Sequence, residues 1–302
     1  MRPAGGPGLE FAFLALLALL WGSSYLFAKV ALAEIPPITL VAIRVSVAAC
    51  FLLVVLAWQG GHLPRDGRTW RMLFVQAVFN SIGSWTLLAW GQQYVDSGLA
   101  SVLNSTSPIF VFFITLLFTR HESLSLLKLA GACLGVAGVV AIVGFDALSG
   151  LGRQVAGQLA ALAGAMLYAG AAIYGKRFGH LSATATAGGT MIWASACLVP
   201  LSLALEEPWT LHPSGRAIAA AAVLAVFCTG VALLIYFRLV RTLGSMGVAS
   251  QSYLRAGIGV ILGIVFLGEQ ITLVVGLGLI AAILGVAAIN MPGRPGLHRT
   301  GK

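Results

Sequence analysis

The sequence predicts an all-α integral membrane protein, with ten transmembrane helices arranged as two inverted five-helix repeats. Three observations carry that prediction. Of 302 residues, 59% are hydrophobic and only 9% charged, with mean hydropathy +0.96; so few charges cannot cover a soluble surface of this size. Near-continuous apolar runs recur along the chain at about 20 residues, the length that crosses a bilayer as a helix. The chain also echoes itself at an offset of 147, Lys29 falling on Lys176, Cys50 on Cys197, Glu122 on Glu269, Gly131 on Gly278 and Gly138 on Gly285.

The predicted spans are, in order, 9–33, 38–58, 70–93, 98–119, 125–144, 157–178, 184–205, 215–238, 246–268 and 271–291. Strict alternation of apolar and polar residues is absent, so helices are what satisfies the backbone in lipid. The first span is too long, and too closely followed by others, for a cleaved signal peptide. The two units are residues 1–145 and 155–292. Local strings repeat as well: Ala77-Val78-Phe79 matches Ala225-Val226-Phe227, and Gly98-Leu99-Ala100-Ser101 matches Gly247-Val248-Ala249-Ser250. A duplicated unit with five spans enters the membrane upside down, and inverted repeats around a midplane site are the usual build of a secondary transporter.

A net charge of +9 invites a nucleic-acid reading, but the distribution argues against it. With ten spans, one side of the membrane collects Arg2, Arg65, Arg68, Arg71, Arg120, Lys128, Lys176, Arg177, Arg238, Arg241, Arg294, Arg299 and Lys302. The other side collects Lys29, Arg153 and Arg216, which leaves Arg44 and Arg255 inside spans. Cations concentrate on the cytoplasmic face of membrane proteins, so both termini are expected there. Losing one span would scramble the segregation. Cys50, Cys133, Cys197 and Cys228 all lie in apolar runs without C-x-x-C spacing and read as small packing residues.

Local patterns add a family resemblance. Trp21-Gly22-Ser23-Ser24-Tyr25 with Lys29, Arg44 early in the second span, and Phe266-Leu267-Gly268-Glu269-Gln270-Ile271-Thr272 before a glycine-rich last span resemble the EamA family of the drug/metabolite transporter superfamily. The resemblance runs from about residue 9 to 291. It implies a ten-helix, inverted-repeat carrier in a bacterial inner membrane, commonly an exporter of amino acids or related metabolites. Within the family the chain is most similar to the aromatic amino-acid exporter type. It departs from the pattern where Gly257 stands opposite Pro108, where His121-Glu122 stands opposite Gly268-Glu269, and at Arg255, deep in the ninth span.

The chemistry-bearing residues narrow the function. All five histidines fall in loops or at span edges, and no acidic residue lies near the middle of a span. An intramembrane protease, a metal carrier and a carboxylate-based proton pump need such groups at depth. The expectation is therefore a non-enzymatic carrier without metal or cofactor. Its partners are a small-molecule substrate and the lipid bilayer, not nucleic acid, and it works as a monomer or homodimer.

Residues lining a central cavity should recur at matched positions of both halves. Trp21 pairs with Tyr168, Asn80 with Cys228, and Asn104 with Tyr253, all near the middle of their spans. Such a mixture suits an amphipathic amino acid, with apolar walls for its side chain and a few polar groups for its charged ends. Gln76, one helical turn before Asn80, is a cavity neighbour by spacing.

Arg255 either binds a substrate carboxylate or anchors a helix interface. Arg44 reads as structural, snorkelling to the outer interface or pairing with Glu269. Pro108 and Gly257 are hinge candidates. The Gly131-x-x-x-Gly135 face and the glycines of the last span mark spans five and ten as scaffold. By elimination the pathway belongs to spans one, three, four, six, eight and nine. Rival readings are export of cationic drugs or nucleotide sugars, and a non-transporting scaffold.

Overall fold

The computed structural model describes residues 7–118, 126–148, 152–242, 251–270 and 272–290, and among them every regular element is a helix. The first half holds α1 (Pro7–Leu32), α2 (Pro37–Trp58), α3 (Gly67–Ala77), α4 (Ser84–Gly91), α5 (Ser97–Ser105), α6 (Ser107–Phe118) and α7 (Leu126–Leu148). The second holds α8 (Gly152–Gly175), α9 (Ala183–Leu205), α10 (Gly215–Ala225), α11 (Ala232–Thr242), α12 (Gln251–Leu267) and α13 (Leu273–Asn290). Two π-helical turns, Val78–Gly83 and Val226–Val231, join α3 to α4 and α10 to α11 into continuous rods. Among the described residues, seven helical stretches are long and apolar enough to cross a membrane, and three shorter apolar helices accompany them. The sixth predicted span begins earlier than its hydropathy suggested, because Gly152-Arg153-Gln154 already sit in the first turn of α8.

Helix ends follow from local chemistry. Asp66, Ser182 and Ser214 cap α3, α9 and α10, each accepting the backbone N–H three residues on. Helix α2 opens on Pro36-Pro37, whose fixed φ suits a first turn, and closes on Gly60 at φ +64. There the Gly61 N–H reaches the Leu56 carbonyl at 2.9 Å and the Gly60 N–H reaches Ala57 at 3.0 Å, which is a Schellman closure.

The α5–α6 rod breaks at Thr106, two residues before Pro108. Pro108 has no N–H for the Asn104 carbonyl, and the Ser107 hydroxyl donates to that carbonyl instead, at 2.5 Å. Opposite it, α12 runs unbroken through Gly257, where an added Cβ would meet nothing within 4 Å.

Exposed positions carry large apolar side chains, among them Val54, Val140, Leu203, Ile261 and Phe266, as a lipid-facing surface requires. Lipid supplies little hydrophobic force between helices, so close packing must hold them. Helices α7 and α13 meet through glycine on both sides. A Cβ on Gly138 would lie 2.6 Å from the Gly278 carbonyl oxygen, and one on Gly285 would lie 2.5 Å from that of Gly131. The contact is reciprocal, and the two helices run antiparallel, residue numbers rising on one as they fall on the other.

The α2–α9 pair shows the same relation. Thr39, at the start of α2, shares a 2.7 Å hydrogen bond with Ser202 near the end of α9 and donates its hydroxyl to Glu206. At the opposite end, Thr184 donates to Gln59 at 3.0 Å.

Candidate functional site

The π turns set up the centre of the molecule. A π turn carries one residue more than an α turn, so it shifts the face presented by everything beyond it, and such turns cluster at functional sites. Val226 follows Val78 by 148 residues, so the two turns occupy matched positions of the duplicated sequence. Asn80 lies in the first turn and Cys228 in the second, and both line a shared cavity of about 70 Å³. In the second turn the Thr229 hydroxyl donates to the Leu224 carbonyl, five residues back, and accepts from Arg44.

Close crossings bring the other walls in. Gly157 lets α8 press on α4, where its Cβ would lie 2.8 Å from the Gly91 carbonyl oxygen, and Ser84 donates to the Gly164 carbonyl across the same contact. That crossing presents Tyr168 to the cavity from α8. On α1, Gly22 of the Trp-Gly-Ser-Ser-Tyr string brings the helix against α12, its Cβ position 3.0 Å from the Arg255 carbonyl oxygen. Trp21 and Tyr25 therefore face the cavity. Trp21 packs on Tyr236 at 5.3 Å between ring centroids, and the Tyr25 hydroxyl accepts from the Asn104 amide at 2.6 Å.

Of the residues the sequence singled out, Trp21, Asn80, Asn104, Tyr168, Cys228 and Arg255 line this one cavity. Tyr253 lies in α12, but its side chain is outside the described residues. Gln76 is not in the lining; its amide donates to the Ala171 carbonyl at 3.2 Å, between α3 and α8. The spacing argument assumed α-helical turns, and the π turn that starts at Val78 breaks the shared face. Pro108 and Gly257 lie outside the lining.

Two expectations are corrected. Arg44 neither snorkels outward nor pairs with Glu269. Its guanidinium lies over the Trp85 ring, 4.0 Å from the centroid, and its Nε donates to Thr229 at 2.8 Å. A cation stacked on an indole and bonded to a hydroxyl gains more than one stretched toward a distant interface. Glu269 is engaged elsewhere, accepting the Ser97 and Gly98 N–H groups at 2.6 and 3.0 Å at the start of α5. The second correction follows from the first, because the second span, left out by elimination, contributes Leu40, Val41 and Arg44 to the wall. Trp85, Tyr25 and Gln92 also line the cavity; the signal in the sequence was their polar or aromatic character at mid-span or span end.

Electrostatically the lining is one-sided: among the described residues it has two guanidiniums, those of Arg44 and Arg255, and no aspartate or glutamate. Arg255 is 5% exposed; one of its terminal nitrogens donates to Ser105 at 3.3 Å, while its Nε and the Asn104 Oδ1 find no partner. Among the described residues no cluster of histidine, cysteine and carboxylate groups could hold a metal.

Known proteins resemble this chain. The uncharacterized inner membrane transporter YedA of Escherichia coli K12 is 27% identical over 284 residues, covering 93% of this chain and 90% of that protein. The uncharacterized transporter YvbV of Bacillus subtilis is 28% identical over 287 residues, covering 92% and 90%. Protein PagO of Salmonella typhimurium is 29% identical over 131 residues, 42% of each chain. A solved crystal structure superposes with TM-score 0.63 at 18% identity over 94% of this chain and 98% of its own, which marks a common fold. The EamA-like transporter family profile matches residues 9–144 and again 155–291. The chain thus belongs to the EamA-like transporter family and is a multi-pass membrane protein.

Proposed function

We propose that this protein is a secondary carrier that exports amino acids or related small amphipathic metabolites from the cytoplasm. In this reading ten membrane helices form two inverted five-helix repeats, both termini are cytoplasmic, and the cavity opens alternately to either side. One observation carries it: a buried cavity walled by residues at matched positions of both halves, Trp21 with Tyr168 and Asn80 with Cys228, the latter pair each inside a π turn. The antiparallel α2–α9 and α7–α13 contacts support inversion, since each joins a helix to its own duplicate. The inner-membrane location of the relative YedA supports the same setting here.

The test is flux in proteoliposomes with a panel of amino acids, with and without a pH gradient. Uptake or counterflow of at least one amphipathic substrate is expected, and W21A and Y168A should each reduce it by about tenfold while leaving folding intact. No flux for any substrate refutes the carrier reading; unchanged flux in both variants refutes the site. Export of cationic drugs is disfavoured by a lining with two arginines and no carboxylate.

A further inference from the structure

Among the described residues the cavity is lined by two positive charges and no negative one. Arg255 is 5% exposed to the outside, and its Nε is a buried donor with no protein partner among the described residues. Leaving such a group unpaired is unfavourable unless a ligand completes it. Arg44 spends its Nε on Thr229 and its face on Trp85, but its terminal N–H groups meet no carboxylate among the described residues. A guanidinium offers five donors in a planar fork, a shape that fits a carboxylate better than any neutral group. Asn104, which precedes the Ser105 that Arg255 bonds and lines the same cavity, has a buried Oδ1 with no donor among the described residues, its own amide being committed to the Tyr25 hydroxyl.

A zwitterionic amino acid would place an ammonium here and leave the net charge of the cavity unrelieved. An anion with a neutral O–H or N–H beside its carboxylate satisfies both orphans. Trp21, Tyr168, Leu88 and Leu233 supply an apolar wall for the rest of the ligand.

We infer that the cavity selects net-negative cargo: a small aromatic or apolar carboxylic acid whose carboxylate binds Arg255, whose neutral hydroxyl or amide donates to Asn104, and whose charge Arg44 helps to offset. This rests on the carrier reading for its meaning as cargo, but binding tests it independently of flux. Three probes share one phenyl ring and differ in charge: 3-phenyllactate (anion), phenylalanine (zwitterion) and phenethylamine (cation).

Binding to the purified full-length protein is read from its tryptophan fluorescence, excited where the phenyl ring does not absorb, because Trp21 and Trp85 line the cavity. The expected order is phenyllactate, then phenylalanine weaker by at least about tenfold, then the amine. Arg255→Gln should weaken phenyllactate by about tenfold or more and Arg255→Lys by less, while Arg44→Gln, remote from the Ser105 contact, provides a second variant should Arg255→Gln fold poorly.

Equal or tighter binding of the amino acid or the amine overturns the inference, as does an absence of phenyllactate binding at millimolar concentration. Acid affinity unchanged in both glutamine variants overturns it as well. Selective binding of the acid without flux of any probe in proteoliposomes would uphold the inference and defeat the carrier reading.

Discussion

Glu269 lies in the string that ends α12, and the structure gives it a task that can be tested by substitution. Helix α12 closes at Gly268, φ +67, which turns the chain so that the Glu269 N–H bonds to the Gly263 carbonyl at 3.2 Å. The carboxylate then accepts the Ser97 and Gly98 N–H groups and caps α5 from another helix, while Asp96, at the cap position, forms no side-chain cap bond.

Losing an N-cap costs about 0.5–2 kcal/mol, and charge-assisted bonds lie toward the upper end. Glu269 is half-buried, so water replaces part of the loss, and E269A should cost about 2 kcal/mol. At about 2–4 °C per kcal/mol this lowers the melting temperature by about 4–8 °C.

The partner position is Gly263. A Cβ there would overlap the Glu269 carboxylate, lying 2.8 Å from its carboxyl carbon and 2.9 Å from the Ser97 hydroxyl. G263A should therefore destabilise the intact protein by about 1–2 kcal/mol, although alanine is otherwise favoured over glycine in a helix by about 0.5–1 kcal/mol. With the carboxylate gone, only the Ser97 hydroxyl, which can rotate aside, remains in the way, and G263A in the E269A background should cost clearly less than in the intact protein. Thermal unfolding of the four detergent-solubilised proteins completes the double-mutant cycle. Additive losses, with G263A equally harmful in both backgrounds, would refute the capping geometry.

Other perturbations separate structural roles from ligand roles. Gly138→Val should lower stability by about 1–3 kcal/mol by forcing α7 off α13, whereas Gly257→Ala, facing open space, should change thermal unfolding little or raise its midpoint. Arg255→Met should raise the melting temperature, because it removes an unbalanced buried charge; a fall would assign Arg255 to scaffolding. The Ser214 backbone N–H and hydroxyl hold the Glu34 carboxyl below its ordinary range at the start of α10. A lowered folded pKa gives stability that is present above the unfolded value, about 4.3, and lost as pH falls through the folded one. Melting temperatures followed from neutral to acid pH should fall less steeply in that window for Glu34→Gln than for the unchanged protein.

Hydropathy made the helices legible because burial in lipid demands apolar length, whatever the helices pack against. Trp21, Asn80, Tyr168 and Cys228 were legible as a group because duplication matched them. Arg44 was misplaced for an opposite reason: its position in the span was correct, but its partner, the Trp85 ring, comes from a rod whose rotation no local pattern fixes. Gln76 failed on the same ground. A π turn is invisible to periodicity, since one extra residue in a rod of more than twenty leaves the apolar run intact while turning everything beyond it. The break at Thr106 was half-legible: Pro108 announced it, but only the bond from Ser107 to Asn104 shows how the freed carbonyl is satisfied.

The paired π turns also bear on ancestry. An inserted residue in a helix ordinarily harms packing, so two independent insertions at equivalent places would be a coincidence. Val78–Gly83 and Val226–Val231 are more simply read as one event, present in a single EamA-like unit before its gene was copied. Two copies of that unit would have carried the same side chain twice where Asn80 and Cys228 now differ. Fusion freed the two copies to diverge, and the arginines at 44 and 255, which have no counterparts in the opposite half, are what such freedom makes available.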